Sequence, residues 1–196
     1  MGKVVAGATV SLDGFIARPD HQVGPLFDWF GAGDTTFKTL GGHWSFNVSA
    51  ASAVLLRESW ATIGALVHGR RTFDHTDGWG GEHPVGAPVV VVTSRPAPAD
   101  WLAAHPAAPF TVVDGVGRAV AEAKAIAGGK DVSVGMASVV RQSLAAGLLD
   151  EIAIDLVPVT LGEGIRYLDQ VGEVRLEQVG LVQGTGVTHL RYRVVQ

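Results

Sequence analysis

Short β-branched runs alternate with helix-spaced segments through most of this chain, and that alternation limits its fold more than any other feature. Lys3 to Val10 is the first run, ending at the turn Ser11-Leu12-Asp13-Gly14. Phe15-Ile16-Ala17 resumes an extended course before the break at Pro19-Asp20. Strands are then expected at Ile63 to His68, Ala87 to Thr93, Phe110 to Val113, Asp131 to Val134 and Glu151 to Val157. The second of these five is continuously apolar, as in a strand buried on both faces. Helices are expected at Ser49 to Trp60, with Ala53, Leu56 and Trp60 on one stripe, at Gly117 to Ala127, and from about Ser138 to Ala146.

The tail changes character. Glu173 to Val182 and Val187 to Val195 read as long strands joined by Gly184-Thr185-Gly186, a hairpin signal. In the last strand Thr188, Leu190, Tyr192 and Val194 share one face, and His189, Arg191 and Arg193 share the other. The expectation is an α/β fold with a mixed central sheet, helices on both faces and a C-terminal antiparallel hairpin. Residues 21 to 48 show no clear period and read as a long loop with a short helix near Phe27 to Phe30. The aromatics of that loop, Trp29, Phe30, Trp44 and Phe46, suit either a substrate pocket or a core.

Composition narrows the function classes. The 196 residues are 47% hydrophobic, enough for one domain over 1–196 with a sizeable core. A net charge of −4 argues against nonspecific nucleic-acid binding. The absence of cysteine excludes disulfides and thiolate chemistry. No run reaches the ~18 to 20 apolar residues of a membrane span, so a cytoplasmic location is expected. His68, His75 and His83 lie near Asp74, Asp77 and Glu82, which raises a metal enzyme as a competing class. Their spacing fits no zinc motif, and no metal site is assigned.

Ligands of open α/β sheets bind beyond the carboxyl ends of the strands. Four such ends carry glycine or hydroxyl residues: Val10 to Gly14, His68 to Thr72, Thr93 to Arg95, and Gly135 to Ser138. Backbone donors at a helix start, joined by a guanidinium or a hydroxyl, suit phosphate.

The ordered set Ser11-Leu12-Asp13-Gly14-Phe15-Ile16-Ala17, Gly69-Arg70-Arg71-Thr72-Phe73, Val92-Thr93-Ser94-Arg95, Val134-Gly135-Met136-Ala137-Ser138 and Leu156 to Gly164 resembles one family. It is similar to single-domain relatives of the reductase domain of the bacterial bifunctional deaminase-reductase of riboflavin biosynthesis, within the dihydrofolate-reductase-like three-layer fold. The resemblance implies an NADPH-dependent reductase that transfers hydride to a small pyrimidine- or pterin-like heterocycle, or a binding protein on that fold that has lost the reaction. It implies that Ile16 and Ala17 line the nicotinamide pocket, and that Gly69, Arg70, Arg71 and Thr72 hold cofactor phosphates. It further implies Thr93, Ser94 and Arg95 at the adenosine ribose and 2′-phosphate, and Gly135, Met136, Ala137, Ser138 and Val139 under the pyrophosphate. Asp13 is the candidate proton donor or substrate anchor, with a turn-stabilising role as the alternative. Homodimerisation is expected, since related domains pair and the C-terminal hairpin offers apolar area.

The chain departs from the family in three places. Gly135-Met136 replaces two adjacent glycines, joined in dihydrofolate reductase by a cis bond; here the bond is expected to be cis or its loop rearranged. The helical acid of folate reductases falls by spacing on Ser52 and Ala53, with Glu58 more than a turn later. Phe15 stands where riboflavin-pathway reductases carry a basic residue near the substrate phosphate. The substrate is therefore left open.

Overall fold

The apolar runs of the sequence assemble into one eight-stranded sheet in a computed structural model that describes residues 2–41 and 43–195. In chain order the elements begin with β1 (Val4–Ser11), β2 (Phe15–Ala17), β3 (Thr35–Lys38), β4 (Ser45–Val48), α1 (Ala50–Thr62) and β5 (Ile63–Gly69). They continue with α2 (Arg70–His75), β6 (Val89–Val92), α3 (Ala99–Ala104), β7 (Phe110–Val113), α4 (Val116–Ala127) and β8 (Asp131–Val134). The last are α5 (Ala137–Ala145), β9 (Glu151–Val157), β10 (Ile165–Arg166), β11 (Arg175–Gly184) and β12 (Val187–Val195). Strand order in the large sheet is β11-β12-β9-β1-β8-β5-β6-β7. Six strands are parallel, while β12 runs antiparallel to β9 and pairs with β11 as the expected hairpin.

The two faces of the sheet are built differently. On one, Val4, Ala6, Val132, Val134 and Ile152 pack with Ala119, Val120 and Ala123 of α4 and Val140 of α5. These side chains are fully buried or nearly so, and each large one contributes about 1.5–3 kcal/mol relative to exposure. The other face carries smaller and more polar residues, and a second core bridges it to α1. That core joins Ala53 and Leu56 with Leu26, Trp29, Phe37 and Val48.

Residues 21 to 48 differ from the expected loop. A 3-10 helix spans Gly24–Gly31, followed by an antiparallel hairpin of β3 and β4. Each hairpin strand is four residues long and buries one or two side chains at most, too little to register as a period. Trp29 is buried, whereas Trp44 is exposed. Ser49 caps α1, accepting from the Ser52 amide at 3.2 Å. Among the described residues no helix is long and apolar enough to cross a membrane.

Candidate active site

Between α1 and the polar face of the sheet lies a cavity of ≈ 380 Å³. Its base is made of small residues: Gly7 on β1 is in register with Ala153 on β9, and Gly135 follows β8. A Cβ built on Gly7 would meet nothing within 4 Å, so open space stands directly above the strand. Leu55, Leu56, Ser59 and Trp60 of α1 form the opposite wall. A mostly apolar slot with few polar groups is the usual form of a small-molecule site.

One polar station is set by sheet register. Thr9, Asp155 and His189 are cross-strand partners on β1, β9 and β12, so their side chains rise from the same face side by side. Asp155 Oδ1 lies 2.6 Å from His189 Nδ1, and His189 Nε2 lies 2.8 Å from Ser52 Oγ in the first turn of α1. Ser49 Oγ donates in turn to Ser52 Oγ at 2.9 Å. Ser52 and His189 are buried, whereas the Asp155 side chain keeps 30% of its exposure and lines the cavity. The sequence groups His189 with Arg191 and Arg193 on one strand face and does not reveal this chain of contacts. The available signal was a lone Asp and a lone His inside two otherwise strand-forming runs.

The second station is His68 at the end of β5. Its ring stacks on His83 at 5.2 Å and tilts against Trp79 at 5.0 Å, and both histidines line the cavity. Burial pushes His68 down to about 4, so it is neutral at physiological pH. Neither ring nitrogen of His68 has a hydrogen-bond partner. His75 lies apart, its ring 6.4 Å from that of His21. Among the described residues, no group of three or more His, Cys, Asp or Glu side chains is placed to hold a metal ion.

The cofactor residues expected from the sequence sit at three adjacent strand ends, because β8, β5 and β6 are neighbours. Gly69 opens α2 and Met136 precedes α5, and neither helix start has a side-chain cap. The first amides of α5, at Ala137, Ser138 and Val139, thus have no side-chain acceptor. Gly135 packs too closely for a side chain, and Gly69 is tightly packed. A Cβ on Gly135 would lie 2.5 Å from His68 Cε1, and one on Gly69 would lie 3.2 Å from Val139 Cγ2. The Gly135-Met136 bond is cis, the first of the two expected alternatives.

Arg70 donates to Asp74 Oδ1 at 2.6 Å and to the Pro96 carbonyl at 2.5 Å. Arg95 reaches Asp74 Oδ2 at 2.8 Å, and its amide donates to Thr93 Oγ1 at 3.0 Å. Arg71 and Ser94 are exposed, Thr72 is half-buried, and none of them contacts the cavity. Ile16, Gly135 and Met136 do line it, while Ala17 pairs with Ile165 and is buried. The cavity therefore reaches three of the residues expected at the cofactor, Ile16, Gly135 and Met136.

Asp13 is committed elsewhere. Ser11 Oγ donates to its Oδ1 at 2.6 Å, the Leu161 amide lies 3.1 Å from both oxygens, and the Gly162 amide donates to Oδ2 at 2.8 Å. The Ser11 hydroxyl first, then the Gly162 and Leu161 amides, outweigh the effect of burial and hold the carboxyl at about 2. Asp13 does not line the cavity. The geometry favours its turn-stabilising role, with the carboxylate clasping the 161–162 loop to the end of β1.

Comparison with known proteins agrees with this architecture. The family model of the RibD C-terminal domain matches residues 2–190. A protein of Shewanella sp. PV-4 assigned to riboflavin biosynthesis is similar at 19% identity, covering 99% of both chains with a TM-score of 0.70. Dihydrofolate reductase from Enterococcus faecalis, solved with NADP(H) and RAB-propyl, is similar at 18% identity, covering 100% of this chain and 98% of its own, with a TM-score of 0.61. A pyrimidine reductase-like protein of Corynebacterium diphtheriae is similar at 15% identity, covering 100% of this chain and 92% of its own, with a TM-score of 0.61. No curated protein matches the chain.

Proposed function

The chain belongs to the RibD C-terminal domain family, and from that premise we propose that it is an NADPH-dependent reductase acting on a small pyrimidine- or pterin-like heterocycle. The observation that carries this reading is that Ile16, Gly135 and Met136, three of the residues expected at the cofactor, also line the cavity. A dinucleotide would be held by the residues at the ends of β8, β5 and β6, with Ile16, Gly135 and Met136 beside its nicotinamide, and would supply hydride to a substrate in the cavity.

The residues present fit such a cofactor. The uncapped first turn of α5 offers amides to the pyrophosphate. Gly69, Arg70, Arg71 and Thr72 flank it at the start of α2. Arg95, 58% exposed, presents guanidinium nitrogens to a 2′-phosphate beside Thr93 and Ser94. Ile16 and Ala17 wall the nicotinamide side. The absence of a carboxylate from the cavity-facing part of α1 favours a second reading, a binding protein that holds the nucleotide without turnover.

Titration with NADPH and with NADH, followed by quenching of the tryptophans, tests the proposal. Selective, saturable NADPH binding supports it, and failure to bind either nucleotide sinks it. NADPH binding without oxidation by any pterin or pyrimidine acceptor would select the second reading. Leu176, Val179 and Leu181 on the edge strand β11 are exposed and supply the apolar area for the proposed homodimer, which sedimentation equilibrium would detect.

A further inference from the structure

The proton that accompanies hydride needs a source, and no carboxylate of α1 lines the cavity; two others do, Asp155 and Asp131, of which Asp131 is held by the Lys3 amide at 2.8 Å. The geometry points to Asp155 as that source, a carboxylate on β9 that faces the substrate, with His189 and Ser52 behind it as its proton relay. The inference rests on the reductase reading. It names the group that meets substrate and the chemistry it would meet.

Position comes first. Ser52 is one of the two residues, with Ala53, on which the family's helical acid falls, and its hydroxyl lies 2.8 Å from His189 Nε2. His189 spans the gap between helix and sheet, with Nδ1 2.6 Å from Asp155 Oδ1. The negative charge absent from the helix therefore stands at the far end of a Ser-His-Asp chain, one side chain away. Only its Asp155 end keeps appreciable exposure, at 30% against 4% for His189. Ser52 is fully buried and does not line the cavity. It therefore cannot act as a nucleophile toward a molecule there.

The chain suits a mobile proton. Asp155 and His189 share a short hydrogen bond, across which a proton can sit on either partner. When the imidazole is neutral, Nδ1–H donates to Asp155 and Nε2 accepts from the Ser52 hydroxyl. When it is protonated, Nε2–H donates to Ser52, whose own proton turns to Ser49 Oγ at 2.9 Å. A hydroxyl both donates and accepts, so His189 Nε2 keeps a partner in both states. The edge of the buried Trp29 ring closes one side of the imidazole, at 5.3 Å and 75°. Other ionisable groups near the pair are Tyr167 and Arg191. Burial first, then the charge of Asp155, hold the Tyr167 phenol above its usual range, so it stays neutral. Arg191 Nε sits 3.6 Å from Glu151 Oε2, which engages its charge.

The substrate chemistry follows from the cavity. Gly7, Gly135 and Ala153 make a smooth base over which a flat ring can slide, and Asp155 meets it at one end with an acceptor oxygen. The ligand class is a planar nitrogen heterocycle that presents N–H donors or a protonated ring nitrogen to that carboxylate. When a C=N bond of such a ring takes up hydride at carbon, its π pair moves to nitrogen. That nitrogen takes the proton held between Asp155 and His189, leaving carboxylate and neutral imidazole. Solvent returns the proton at the exposed Asp155 end.

The probe is 2,4-diaminopyrimidine, titrated into the full chain with no nucleotide present and read by tryptophan quenching from pH 5 to 9. Binding to wild type is expected, weakened roughly tenfold or more in Asp155→Asn, because a charge-assisted pair is lost. In Ser52→Ala, His189 Nε2 loses its partner and the hold on Asp155 loosens, so affinity for the probe should fall by a smaller factor than in Asp155→Asn. A purely structural Ser52 would alter the unfolding midpoint and leave probe affinity in place. NADPH affinity serves as the separate control and is expected to be the same in all three proteins. Wild type that ignores the probe, or Asp155→Asn that binds it as wild type does, overturns the inference. Loss of NADPH binding in wild type would instead sink the reductase reading, with the Asp155 result still legible.

Discussion

Asp74 and Arg95 form an ion pair of 2.8 Å beyond the ends of β5 and β6, and the other Asp74 oxygen holds Arg70 at 2.6 Å. Burial tends to raise the Asp74 carboxyl, but the hydrogen bonds and charges of the two arginines prevail and lower it. One carboxylate thus keeps two guanidinium groups together at the ends of β5 and β6. Both sides of the Asp74–Arg95 pair are well exposed, so the pair is worth at most about 1 kcal/mol. A phosphate can displace it.

Arg95→Ala should therefore weaken NADPH by roughly tenfold or more, the loss of a charge-assisted contact, and leave NADH almost unchanged. Asp74→Asn removes the competing negative charge and should tighten NADPH slightly. Parallel titrations of the two nucleotides decide the matter. Equal weakening of both by Arg95→Ala would remove Arg95 from the 2′-phosphate.

Much of this arrangement was legible in the chain. Phe110–Val113, Asp131–Val134, Glu151–Val157 and Val187–Val195 match their expected bounds, because each is a strand-forming run closed by glycine, aspartate or proline nearby. The strand ends that carry glycine and hydroxyl residues were legible for the same reason, but not which of them are neighbours. The hairpin of β3 and β4 was not, since Thr-Thr-Phe-Lys and Ser-Phe-Asn-Val are short and mostly polar. Helix α3 was not either: at six residues with none buried, it has no stripe to read. The Ser52, His189 and Asp155 contacts depend on pairing between β9 and β12 and on the height of α1 above the sheet. Neither leaves a trace in local sequence.

Acid should destabilise the fold in two windows. Burial lowers His68 from 6.5 to about 4, and burial together with the His68 charge lowers His83 from 6.5 to about 2. Between 6.5 and 4 the unfolded chain binds protons at these histidines that the folded chain does not, so stability falls as pH drops. His68 alone contributes up to about 2 kcal/mol between pH 7 and 5. Urea unfolding at both pH values should show this loss in wild type and a smaller one in His68→Gln. An identical pH dependence in the two proteins would mean that His68 titrates normally.

The second window belongs to Asp13, whose folded value is depressed from 3.8 to about 2. Its stabilising effect is present above 3.8 and disappears as pH falls toward 2. At neutral pH, Asp13→Asn should free the Leu161 and Gly162 amides, speeding their hydrogen exchange while the β1 amides stay protected. Unchanged exchange at Leu161 and Gly162 would show that the clasp is not what orders this loop.

Gly7 separates binding from folding. It lies in the middle of β1, lines the cavity, and a Cβ there would meet no atom within 4 Å. Its φ is not positive, so a side chain meets no backbone penalty. Valine favours a strand where glycine weakens it, and relieves the glycine's extra entropy in the unfolded chain. Gly7→Val should thus leave the urea midpoint unchanged or raise it, by up to about 1 kcal/mol of stability. The same isopropyl group projects into the slot between the sheet and α1, where a flat ring would lie. Affinity for 2,4-diaminopyrimidine should fall at least about tenfold, the cost of about two carbons' worth of lost contact or steric conflict. NADPH, held along the strand ends, should bind nearly as before. A variant that keeps full affinity for the probe would place the substrate outside this cavity, and one that loses stability would show that the space above Gly7 is closed in solution.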